Sequence, residues 1–85
     1  MLRCTDFSLR FKKDGSLAKI SVCLNENAAT ITSNSAEVIK RIFGIEASFL
    51  SFYGPSKALA KMISALLWDL LYKDEVDTMS PVPEL

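Results

Sequence analysis

Ser16-Leu17-Ala18-Lys19 has the spacing of a serine nucleophile with a lysine base. That chemistry needs a helical context in which hydroxyl and amine meet. Here the four residues follow Asp14-Gly15 and open an alternating run, so they read as the start of a strand after a tight turn. The chain holds no histidine, which removes the Ser-His and Cys-His pairs and the usual general base near neutral pH. Gly15, Gly44 and Gly54 are its only glycines, and neither glycine fingerprint of a phosphate-cradling loop can be built from them. Cys4 and Cys23 are the only soft metal ligands, whereas a zinc site takes four donors, normally cysteine or histidine. The expectation is a non-enzyme with no metal and no cofactor.

Two other sets of residues suit binding. Arg3, Arg10, Lys12, Lys13 and Lys19 lie near the N-terminus and suggest a basic face that takes an acidic protein or nucleic acid. Against nucleic acid, that face lacks aromatics for stacking, and the pI of about 6.2 is far from a basic footprint. The second set is Lys61, Ala65, Trp68 and Tyr72, spaced to share one side of a helix. Tryptophan flanked by tyrosine and lysine on an outer helix face has the make-up of an interaction hot spot. The alternative is that the tail or another helix folds over Trp68 and buries it.

The elements that position these residues follow from periodicity. Residues 3–11 alternate, with Thr5, Phe7, Leu9 and Phe11 on one side and Cys4, Asp6, Ser8 and Arg10 on the other. A two-residue turn centred on Asp14-Gly15 pairs Phe11 with Ala18, Leu9 with Ile20 and Phe7 with Val22. It also sets Arg10 opposite Lys19 and leaves the two thiols diagonal to one another, for which two unpaired cysteines are expected. A second turn at Glu26-Asn27 pairs Leu24 with Ala29 and Val22 with Ile31. The three runs form a meander with one apolar and one polar face.

Downstream, Leu59, Met62, Ile63, Leu66, Leu67, Leu70 and Leu71 recur at helical spacing after Gly54-Pro55. Asn34 and Glu37 have the form of a capping box, with Ser33 and Ser35 as rival caps. Val38, Ile39, Ile42, Phe43, Ile45, Phe49, Leu50, Phe52 and Tyr53 then share one wide helical face, whereas 45–53 alternate poorly as a strand. Gly44 argues for a break. The favoured reading is one helix across Gly44, kinked or split there, rather than a fourth strand.

Eighty-five residues, 49% apolar and 24% charged, make one domain with a single core. The formal net charge is zero, but residues 1–24 carry five bases against two acids and residues 25–85 five against eight. Met1-Leu2-Arg3-Cys4 leads into polar residues without the apolar run of an export signal. No segment is apolar for the ~18 residues a span needs. A cytoplasmic protein with no membrane partner is therefore expected.

These readings combine into an α+β fold: a three-stranded antiparallel β-meander followed by two helices packed on its apolar face. Residues 1–74 form the compact domain and 75–85 an acidic, mobile tail. The expected function is a small protein-binding module, acting as an inhibitor or adaptor by occupying a partner's surface, with homodimerisation through the C-terminal helix a further possibility. The runner-up is a nucleic-acid-binding domain using the basic sheet face. In size and style alone the chain is similar to phage- or mobile-element-encoded inhibitors such as anti-CRISPR proteins. That resemblance rests on no motif and assigns no residue a role.

Overall fold

The computed structural model describes residues 2–73 and 76–82, the last six of these as backbone only. Its elements run β1 (Arg3–Phe11), β2 (Leu17–Leu24), β3 (Ala28–Ser33), α1 (Ala36–Phe43), β4 (Phe49–Tyr53), α2 (Ser56–Tyr72) and β5 (Val76–Val82). The strands form one antiparallel sheet in the order β4-β3-β2-β1-β5, with both helices on one face. The class is α+β, but a three-stranded meander followed by two helices is not the architecture. A fourth strand stands where a continued helix was expected, and α2 links that edge strand, β4, to the strand at the opposite edge, β5.

The reason lies at Gly44. Its φ of 77° is left-handed, and its N–H donates to the Lys40 carbonyl at 2.8 Å, which ends α1 in the manner open to glycine. Helix α1 keeps Val38, Ile39 and Ile42 buried, while Ile45 is exposed beyond it. The strand occupies only 49–53. Glu46 and Ser48, which spoil the alternation of the longer window, lie outside it. Within 49–53 alternation holds, but aromatic residues sit on both faces, and this double-sided pattern imitates a helical stripe.

The expected capping box does not form either. Ser35 takes the N-cap position without a side-chain cap hydrogen bond. The Asn34 side chain instead accepts from the Lys19 N–H at 2.8 Å, and the Ser33 hydroxyl donates to the Lys19 carbonyl at 2.8 Å. Both residues fasten the entry of α1 to β2, and Glu37 pairs with Arg41 one turn on, at 3.4 Å.

In the first hairpin the register is displaced by two residues. Lys12–Gly15 form a four-residue loop, closed by Phe11 N–H to Ser16 O at 3.0 Å and Gly15 N–H to Phe11 O at 2.8 Å, with Gly15 at φ 72°. Leu9 therefore faces Ala18, Phe7 faces Ile20 and Thr5 faces Val22. An even displacement keeps every side chain on its expected face, so the apolar face survives while the partners change. The second hairpin has the expected register, Val22 with Ile31 and Leu24 with Ala29. Its turn is held by the Asn25 side chain accepting from the Asn27 N–H at 3.0 Å.

One contiguous core joins Leu9, Ile20, Ile31, Val38, Ile39, Ile63 and Val76, among others. On α2 the buried residues are Leu59, Ile63, Leu67 and Leu70, the middle of the expected stripe. Of the segment expected to be a tail, Val76–Val82 pairs antiparallel with β1, and Val76 is buried. Asp74, Glu75 and Glu84 lie outside the described residues. No helix among the described residues is long and apolar enough to cross a membrane.

Candidate functional site

Helix α2 buries one side against the sheet and presents the other to solvent. Lys61, Ala65, Trp68 and Tyr72 all lie on that outer side and are exposed. Trp68 is 52% and Tyr72 82% exposed, and their rings lie 6.1 Å apart, tilted by 38°. That separation suits a favourable aromatic pair. Neither the tail nor α1 covers Trp68 among the described residues. The Lys73 ammonium, 3.2 Å from the Asp69 carboxylate, closes the end of the patch. Two large aromatics are thus held on a helix whose opposite side is locked into the core, so the patch needs little reordering on contact.

The five basic residues are not brought together. Only Arg10 and Lys19 remain on the open face of the sheet, and the two-residue displacement sets them opposite Leu17 and Ser8 rather than each other. Arg3 is odd-numbered in β1, so it belongs to the helix-covered face. There it lines a hollow with Thr5, Leu24 and Lys57, beside the start of α2. Lys12 and Lys13 sit in the hairpin loop, at a hollow of about 370 Å3 shared with Phe11, Asp14, Glu37 and Arg41. Arg41 lies 5.3 Å above the Phe11 ring, a cation–π contact, and 3.4 Å from Glu37. The Asp14 carboxyl is held below its ordinary value of 3.8, first by the Ser16 backbone N–H that it accepts at 2.9 Å.

The cysteines overturn the expectation of two unpaired thiols. Cys4 and Cys23 face each other directly, with Cα atoms 4.0 Å apart, and are joined by a disulfide. The same displacement of the hairpin that separates Arg10 from Lys19 brings these residues from diagonal to opposite. Their close spacing is that of a pair without mutual backbone hydrogen bonds, where side chains on one face approach best. The bridge lies on the open face, half-buried, with the Ser21 hydroxyl 3.9 Å from Cys23 Sγ.

Sequence reasoning missed two aromatics. Phe49 (54% exposed) and Tyr53 (84% exposed) sit at the two ends of β4, on the open face with Thr32 and Ala28. The signal that could have found them is Gly44 as a terminator, which shortens the window to one that alternates cleanly. Among the described residues no group of three or more His, Cys, Asp or Glu is gathered, and no buried side-chain nitrogen or oxygen lacks a partner. Ser16 lies in the loop just before β2 and Lys19 on the open face of that strand, both exposed. Set against known proteins, the chain matches no family model, no curated protein and no solved structure.

Proposed function

We propose that this chain is a non-catalytic protein-binding module that works as an inhibitor or adaptor, presenting the outer face of α2 to a partner protein. The observation that carries this reading is the exposed Trp68–Tyr72 pair. Tryptophan and tyrosine dominate interface hot spots because each desolvates a large rigid area at small rotamer cost. Lys61 and Ala65 continue the patch along the helix: alanine leaves room for a partner's side chain, and lysine supplies a polar rim.

Truncating Trp68 separates an interface from a core residue. Trp68→Ala is expected to change folding stability by less than about 1 kcal/mol, because the ring contributes little to the core. It is also expected to abolish capture of a partner that intact protein retains from its native host. A large loss of stability with capture unchanged would refute the reading. A self-association lost in the same variant would instead identify the partner of α2 as a second copy.

One observation favours a second reading, nucleic-acid binding on the open sheet face. Phe49 and Tyr53 share that face with Arg10 and Lys19, giving the stacking surfaces that base recognition uses. Dispersal of Arg3, Lys12 and Lys13 away from it counts against a phosphate track. A salt titration decides: nucleic-acid binding requires affinity to fall steeply and log-linearly with salt, and no binding at low salt eliminates it.

A further inference from the structure

The two edges of the sheet are built differently. The β5 run, VDTMSPV, contains an aspartate and a proline, the residues by which natural edges resist pairing with another chain. The β4 run, FLSFY, has neither charge nor proline nor glycine, although it is the other edge. Its pairing with β3 shows which of its backbone groups remain open. Ser33 N–H donates to Ser48 O and Gly54 N–H to Asn27 O, so the even-numbered residues of this segment turn their N–H and C=O groups inward to β3. In an antiparallel ladder the alternate residues turn outward, and these are Phe49, Ser51 and Tyr53.

From this edge we infer that β4 pairs antiparallel with β4 of a second copy, across a twofold axis at Ser51, joining the two sheets into one. Two independent features select a second copy rather than an unrelated strand. First, the run is chemically palindromic about Ser51: Phe49 meets the other copy's Tyr53 on the open face, and Leu50 meets its Phe52 on the core face. Second, with Ser51 on the axis every outward residue opposes another outward residue, so each open donor and acceptor of the strand finds a partner. A displacement by one residue leaves them facing inward-turned groups. The closed twofold interface uses up both β4 edges, and it leaves the β5 edges, with their aspartate and proline, as the ends of the joined sheet.

Ser51→Pro tests the inference directly. The Ser51 N–H points away from β3, so proline deletes the hydrogen bonds at the axis while sparing the intramolecular ladder. In sedimentation equilibrium the wild-type chain is expected to run at twice the chain mass in the micromolar range. Ser51→Pro should weaken association at least about tenfold with an unchanged circular dichroism spectrum, and Trp68→Ala should leave it unaltered. A measurement on the wild type guards against a misfolded variant. Phe49 and Tyr53 are about 13 Å apart along one strand, so a ring-to-ring Overhauser effect in a sample mixed from differently labelled copies arises only between copies. A monomer throughout the micromolar to millimolar range would overturn the inference, even one that accepts a foreign strand peptide. So would a dimer that survives Ser51→Pro, one dispersed by Trp68→Ala, or a dimer lacking the Phe49–Tyr53 effect.

Discussion

At the scale of single residues, Cys4 and Cys23 show how a side chain's role follows from register. Placed diagonally they would be two thiols; placed opposite one another they are a covalent staple between β1 and β2, 19 positions apart in sequence. A crosslink of that span restricts the unfolded chain and is expected to stabilise the fold by about 3 kcal/mol. Replacing both cysteines by serine should lower the denaturant midpoint accordingly, and reductant should do the same to the wild type. Equal midpoints in the presence and absence of reductant would contradict a bridge. Trp68 illustrates the opposite case: its placement on the helix wheel was legible, but its exposure depended on what the rest of the chain left uncovered.

At the scale of elements, Gly44 decides the architecture. An ideal Cβ there would meet no atom within 4 Å, yet φ is 77°. Gly44→Ala therefore strains the backbone without creating a clash. The expected cost is about 1 kcal/mol, read as a fall in the unfolding free energy with the strand content unchanged. A neutral or stabilising alanine would mean that the helix runs on through position 44. In the sequence Gly44 is a stop signal, but the apolar residues beyond it continue the helical stripe. Periodicity alone cannot distinguish a helical stripe from a strand with large apolar side chains on both faces. The capping box failed for a related reason, since Asn34 and Ser33 found backbone partners in β2 that lie far away in sequence.

On the scale of the whole molecule, the order β4-β3-β2-β1-β5 places β2 at the centre, with two strands on each side. The core residues of β2, Ala18, Ile20 and Val22, are all buried. Amide hydrogens of β2 facing the ladder should accordingly exchange slowest, close to the rate set by global unfolding. Those in the first and last turns of α2 should exchange faster. Slower exchange in α2 than in β2 would show that the helix, not the sheet, is the last element to open. The open face of this sheet gathers Arg10, Lys19, Phe49 and Tyr53 from three strands, a combination that no local window contains.

What the sequence determined by itself was every feature with a short physical range. The alternation of β1 and β2, the turn at Asn25–Asn27 with its register, the 3.6-residue stripe of α2 and the division of each strand into two faces depend on neighbours a few positions away. What only the tertiary structure decided were choices between local states of nearly equal energy. These include a two-residue or a four-residue loop before Ser16, helix or strand for 49–53, and a loose or paired segment after Val76. In each case the deciding contribution is hydrogen bonding and burial against a distant strand, such as β3 for Phe49–Tyr53 and β1 for Val76–Val82. No neighbouring residue carries that information, because the partner is brought close only by folding.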